Sequence, residues 1–406
     1  MSFRIRLALL AFLLQLPIEF LYSISLSFYL GNAYEVNLVI PKIAFFLVLL
    51  FATLRKQFKG YKIGKNHLYL YLFLLSIIIV SVYNLSTFPI AFDESGYNIK
   101  SYYLSIIFFY CYYFFIGYNM NLYRFADHYK PFFVVILLLM STFVLANLDY
   151  NTFLLDLDKI VYETNKGYQF WADSYALTSI FTISLIHGWG KKRDIKIYLI
   201  FFISIIVLYA LHSRTTFYAY AIVIMAYIYL TQNRKVFYST TVFLLSVATL
   251  LFILNPEIFQ NRMLGIVFGE NDSSLDSRLF MFLSGGKDIL EHPISGNFGG
   301  QVYEFGYVGY YIHNLLSYWR QFGIISFLIL LILLSKVSKF NLKTLKFEKS
   351  LDNNELFIYL MFIQVIVSMI FARSITYPFS FMLFGCYLSY INEIRINYSN
   401  IYLWEK

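Results

Sequence analysis

Six residues of this 406-residue chain have the types and placement that chemistry needs: His313, Asn314, and the arginines at 214, 278, 320 and 373. A guanidinium binds phosphate oxygens two at a time and never loses its charge. An imidazole beside a cation is held neutral and can take a proton as a general base. Arg278, with Arg262, lies in a polar stretch, Asn255 to Ile312, that interrupts a chain of apolar runs and ends at His313-Asn314. If a helix starts at His313, Ser317 and Arg320 follow at i+4 and i+7 on the same face, with Arg320 about 10 Å deeper. An arginine at that depth should point into a protein cavity and not into lipid. The simpler alternative for each arginine is pairing with a nearby acid or a lipid head group, and for His313 an imidazole satisfied by water.

The elements that would position these groups are membrane helices. The chain is 59% hydrophobic, 21% aromatic and 14% charged, with a mean hydropathy of +0.63. Soluble domains carry about 25% charged residues. About twelve apolar runs approach the ~20 residues a bilayer crossing needs: 7–30, 36–54, 67–87, 101–118, 131–149, 173–189, 197–212, 215–231, 236–254, 313–335, 355–372 and 378–392. The expectation is a single all-α polytopic membrane domain over 1–406, with residues 255–312 as a loop domain between the ninth and tenth spans.

The net charge of +9 does not indicate a nucleic-acid partner, because its distribution follows the membrane. With Arg4 and Arg6 inside and the spans alternating, the inside loops hold Arg55 to Lys65, Arg124 and Lys130, Lys191 to Lys196, Arg234-Lys235, and Lys336 to Lys349, as the positive-inside rule requires. Both termini come out cytoplasmic. The opening basic and apolar run has no small-x-small cleavage site and reads as a retained first helix. The outer side is then net acidic, with Asp93, Glu94, Asp156, Asp158, Glu163, Glu270, Asp272, Asp276 and Glu304, which makes the outward arginines at 214, 262, 278, 320 and 373 conspicuous. The same topology leaves His67, His128 and His187 at inner ends and His212, His292 and His313 outside.

Other features carry less. Cys111 and Cys386 fall inside spans, so neither a disulfide framework nor a cysteine metal cluster is implied. Asp156-Leu157-Asp158 has the spacing of a metal-nucleotide motif but sits in an outer loop and reads as a solvated turn. Gly285-Gly286 and Gly299-Gly300 read as turns, since no Lys-Ser/Thr follows to make a phosphate loop. The tyrosines at 303, 307, 310 and 311, with Phe305, suit either sugar stacking or a loop resting on the bilayer.

The segments Asp276-Ser-Arg-Leu-Phe-Met-Phe and Glu291-His-Pro-Ile-Ser-Gly-Asn-Phe-Gly-Gly, followed by His313-Asn-Leu-Leu and Gly323, resemble the O-antigen polymerase and O-antigen ligase family. Ser213-Arg214 at an outer turn resembles a second family element, and Trp171-Ala-Asp-Ser-Tyr-Ala-Leu a third. The glycine turn differs in having Asn297-Phe298 between Gly296 and Gly299. The resemblance implies a GT-C-like, metal-independent glycosyltransferase without cofactors, in the bacterial inner membrane with its site facing the periplasm. Its donor would be an oligosaccharide on undecaprenyl pyrophosphate. His313 would be the general base on an acceptor hydroxyl, and Arg214 and Arg278 would bind the pyrophosphate, with inversion at the anomeric carbon. Topology adds Arg320 and Arg373, and the His-Asn pair adds Asn314, as secondary groups. Membrane lipids and a chain-length regulator would be further partners. The modest outer loop and acidic outer side favour a polymerase over a ligase, which would transfer to the lipid A core. A flippase for lipid-linked oligosaccharides would show two related halves, and none is evident.

Overall fold

The computed structural model describes residues 3–30, 38–58, 65–87, 92, 94, 98–122, 129–149, 152–156, 159–160, 167–187, 193–231, 238, 242, 273–307, 312–347 and 351–404. Among these there are helices, connecting turns and isolated bridges, and no strand. Four helical stretches are long and apolar enough to cross a membrane: Phe3–Leu30, Ile99–Asn119, Leu316–Leu342 and Asn353–Phe371. Shorter apolar helices cover Leu68–Asn84, Tyr129–Leu145 and Ile195–Ala210.

The helices are α1 (Phe3–Leu30), α2 (Val39–Phe58), α3 (Lys65–Thr87), α4 (Ile99–Asn119), α5 (Tyr129–Leu145), α6 (Tyr168–Ile186), α7 (Arg193–Ala210), α8 (Arg214–Thr231), α9 (Ser273–Glu291), α10 (Gly300–Phe305), α11 (Leu316–Phe347), α12 (Asn353–Phe371) and α13 (Phe379–Trp404). They overlap eleven of the expected spans; of 236–254 only residues 238 and 242 are described, and Arg262 with the rest of 255–272 lies outside the described residues. The described part of the expected loop, 273–307 and 312, holds α9 and α10. Gly285-Gly286 therefore lie inside a helix and do not form a turn. Gly299 does turn the chain, at φ 85°.

By contact the chain divides into two compact units. The first comprises Met1–Leu47, Asn121–Asp272 and Thr344–Gln364. Its centre is α6, buried from Trp171 to Ile186. Phe181 of α6 packs on Phe12 at 4.5 Å, Phe133 at 4.7 Å and Phe357 at 5.5 Å between ring centroids, and the Trp171 indole donates to Ser23 Oγ at 2.9 Å. α1 widens to π-helix at Leu14–Ile18, around Pro17, and again at Leu26–Leu30. Proline lacks an N–H, and a local π adjustment absorbs the missing bond. Between these segments Glu19 is paired with Lys42 at 2.5 Å and accepts from Gln15 at 2.6 Å, all three side chains buried. Buried charges persist in such a place only when paired.

The second unit comprises Val48–Met120, Ser273–Lys343 and Val365–Lys406. Its α4 and α13 approach at small residues: a Cβ on Gly117 would lie 2.1 Å from the Met382 carbonyl oxygen, and one on Gly385 2.3 Å from that of Phe114. Small residues at such crossings let membrane helices pack backbone to backbone. Beside this crossing Tyr110, Phe381 and Phe73 stack, with centroids 4.0 and 5.6 Å apart. The Tyr110 hydroxyl donates to the Ile375 carbonyl, pinning the turn between α12 and α13 that carries Arg373.

α11 breaks at Gly323 (φ 76°, ψ 172°), and the turn after α9 repairs the break. The Ile324 N–H donates to the Pro293 carbonyl at 2.9 Å and the Asn297 N–H to the Arg320 carbonyl at 2.7 Å. The Gly299 N–H donates to Gln321 Oε1 at 2.8 Å. Backbone groups freed inside a membrane helix must find partners in the protein, and the Pro293–Gly299 turn supplies them. The fit admits no side chain: a Cβ on Gly323 would lie 1.9 Å from the Ile294 oxygen, and one on Gly296, itself at φ 66°, 2.4 Å from the Gly323 nitrogen.

Candidate functional site

His313 and Asn314 do not begin α11; they precede it. Asn314 Oδ1 accepts the Leu316 N–H at 2.9 Å and its carbonyl accepts the Ser317 N–H at 3.0 Å. Asn314 is thus an N-cap, the task for which asparagine is favoured. His313 is consequently off the helix, so the expected face shared by His313, Ser317 and Arg320 reduces to Ser317 and Arg320. The imidazole lies outside the membrane-spanning part of α11, partly covered and within electrostatic reach of Arg278 on α9 and Arg373 in the α12–α13 turn.

Burial, then the Arg278 charge, then the Arg373 charge push the His313 pKa down to about 4, against a hydrogen bond with the Ala372 backbone that raises it. A contact that favours the protonated ring is one in which the ring N–H donates to the Ala372 carbonyl. A neutral imidazole with one nitrogen donating keeps a lone pair on the other. Such an imidazole suits a base, and both arginines act on it from within the second unit. Arg373 is buried, its own N–H bonded to the Ser368 carbonyl at 2.8 Å and its guanidinium 5.9 Å from the centre of the Tyr377 ring.

Arg320 sits in different company. Its side chain is fully buried; Nε donates to Asp288 Oδ2 at 2.7 Å and Nη2 to Glu304 Oε2 at 3.4 Å. Asp288 Oδ1 accepts from Asn297 Nδ2 at 2.8 Å, and Glu304 Oε1 accepts from Ser284 Oγ at 2.5 Å. Two carboxylates more than match one guanidinium. The expected secondary phosphate role does not fit this residue, whose surroundings repel a further anion; it shapes the site and ties α9, α10 and α11 together. Gly285 makes room: a Cβ there would fall 2.3 Å from Ile312 Cγ1 and 3.4 Å from Arg320 Cδ. Ile312 thus packs towards Arg320, while its neighbour His313 is within electrostatic reach of Arg278 and Arg373.

Arg214 belongs to the first unit, at the start of α8. It is buried beside a hydroxyl network: Thr216 Oγ1 donates to Asp173 Oδ1 at 2.6 Å and bonds with Ser213 Oγ at 2.9 Å. His212, at φ 57°, anchors the preceding turn through Nε2 to the Leu155 carbonyl at 2.9 Å. Of the residues singled out from sequence, the second unit brings together His313, Arg278 and Arg373, and separately seats Arg320 among acids.

Asp288, Glu304 and Asp173 were not singled out as site residues. One signal pointed to the first: an arginine expected deep in a membrane helix calls for an acidic partner. Asp288, Glu291 and His292 also offer ligand atoms within 4.8 Å of one another. Both Asp288 oxygens are already engaged by Arg320 and Asn297, so the trio is poorly disposed to take a cation. No family model, curated protein or solved structure matches the chain.

Proposed function

We propose that the chain is a bacterial inner-membrane glycosyltransferase of about twelve spans, GT-C-like in plan, which polymerises a surface polysaccharide such as O-antigen at the periplasmic face. It would move a glycan from undecaprenyl pyrophosphate to the acceptor sugar of another lipid-linked repeat unit. The observation that carries this reading is a half-buried histidine just before a membrane helix, within electrostatic reach of Arg278 and Arg373 and bonded to the Ala372 backbone.

In this reading His313 takes the proton of an acceptor hydroxyl as its oxygen attacks the anomeric carbon. The bond from that carbon to the pyrophosphate oxygen breaks, inverting the configuration. The charge that develops on the leaving pyrophosphate is met by Arg278 and Arg373, with Arg214 assigned the same task by the resemblance. Charges preorganised in a site poor in water stabilise such a transition state strongly. A bound pyrophosphate also offsets the two charges that depress His313, so donor binding raises the basicity of the group that must then act.

The test is incubation of the purified protein with synthetic undecaprenyl-pyrophosphate repeat units, with chelator present. A ladder of products is expected. Transfer only onto lipid A core would replace polymerase by ligase, and no transfer to either acceptor would end the glycosyltransferase reading.

A further inference from the structure

The first candidate beyond the catalytic groups is the buried Glu19–Lys42–Gln15 cluster of the first unit. Its charges satisfy one another, and nothing about it indicates a ligand. The Asp288–Glu291–His292 trio fails because both oxygens of Asp288 are engaged. The Arg320 network is different, because one of its carboxylates is open.

Glu304 is 45% exposed, yet both of its oxygens are oriented from behind, by Ser284 and by the wholly buried Arg320. Arg320 has a third nitrogen, Nη1, that is buried and has no hydrogen-bond partner among the described residues. It shares one carbon with the nitrogen that reaches Glu304 and holds the guanidinium charge behind that carboxylate. Phe280, one helical turn before Ser284 on α9, is exposed and packs edge-on against Phe305, the neighbour of Glu304, at 5.6 Å. Glu94 adds a second acid here, its N–H bonded to the Gly306 carbonyl at 2.9 Å and its carboxylate against Gly306. An oriented carboxylate and an exposed apolar ring together complement a sugar, which offers hydroxyls that donate and a C–H face that packs on aromatics. The excess of acid excludes a phosphate. Ile312 links this place to His313, where a hydroxyl would lose its proton.

We infer that Glu304, seated by Arg320 and Ser284, binds hydroxyls of the acceptor saccharide, with Phe280 beneath the ring; the assignment to the acceptor rests on the glycosyltransferase reading above. The test uses the full-length protein in detergent and two probes: neutral oligosaccharides released from the producing cell's own surface polysaccharide, and inorganic pyrophosphate. Saccharide affinity should fall about ten- to a hundredfold in Glu304→Gln, the loss expected for a hydrogen bond to a charged group, while pyrophosphate binding is unchanged. A Glu304→Gln protein that binds saccharide as the wild type does would overturn the inference, as would a wild type that binds none. If Glu304→Gln loses both probes through misfolding, Phe280→Ala decides, because that exposed ring can be removed without uncovering a buried charge. A roughly threefold or larger loss of saccharide binding supports the subsite, and an unchanged affinity ends it. Neither probe requires turnover, so a missing product ladder would count against the catalytic reading and leave this one to its own result.

Discussion

Two arginine environments in the second unit invite comparison. Around His313, burial and then the charges of Arg278 and Arg373 push the imidazole towards its neutral form. Around Arg320, a guanidinium is enclosed by Asp288 and Glu304. The residue type is the same, and the neighbours decide what it does. An arginine whose field falls on a titratable ring can set protonation and receive an anion. One held between two acids is spent on joining helices. Both lie close to Ile312, and their opposite character suits the two ends of a glycosyl transfer: an anionic leaving group on one side, a neutral sugar on the other.

The sharpest way to break the comparison is to remove one group from each environment. His313→Ala should lower turnover by about 10² to 10⁴-fold, the usual contribution of a positioned base, with the melting temperature little changed. Arg278→Ala should cost about 10² to 10³-fold in turnover, as loss of a transition-state charge does. Arg320→Met should act mainly on the fold. It strands Asp288, whose other oxygen is held only by Asn297, and removing one partner of a buried pair costs about 3–5 kcal/mol. Thermal unfolding in detergent would show this, and Arg320→Met with Asp288→Leu should recover much of it. A stable Arg320→Met protein with abolished turnover would reverse the assignments.

The pH dependence sharpens the same contrast. Because the His313 pKa is pushed down to about 4 from 6.5, kcat/KM should hold as pH falls and decline only below about pH 4. Arg373→Met should move that limb upward, though not all the way, since burial is the larger cause. The effect on stability has a definite sign. The fold prefers the neutral ring, so this group's contribution is intact above about pH 6.5. It is lost as pH falls from there towards 4, where the unfolded chain binds the proton and the folded chain does not.

These distinctions were unevenly legible in the sequence. Helix positions followed from hydropathy, because it is a property of single segments. The start of α11 was misplaced by treating His313 as helical; the preference of asparagine for the N-cap, applied at Asn314, would have put the first turn just after it. The Arg320 partners depend on α9 and α10 folding back over a break at Gly323, a long-range fit that no periodicity encodes. The Pro293–Gly299 segment was legible as a turn, but its task of repairing α11 was not, since that requires knowing which backbone groups the break leaves open.

The smallest effect is expected at a second histidine of this unit. His292 is exposed at the end of α9, its N–H bonded to the Asp288 carbonyl at 2.9 Å, and no arginine is assigned to its ring. It differs from His313 in being exposed and in lying beside the acids Asp288 and Glu291. If the nearby acids do not hold a cation, His292→Ala should alter turnover less than about twofold and leave stability within ~0.5 kcal/mol, as surface substitutions usually do. The kinetics should be measured with added divalent cation and again with chelator. A large loss restored by one cation would mean that Asp288 exchanges Arg320 for a metal during the reaction, and the acidic environment would then be catalytic in its own right. Equal rates under both conditions would leave the chemistry with His313 and its two arginines.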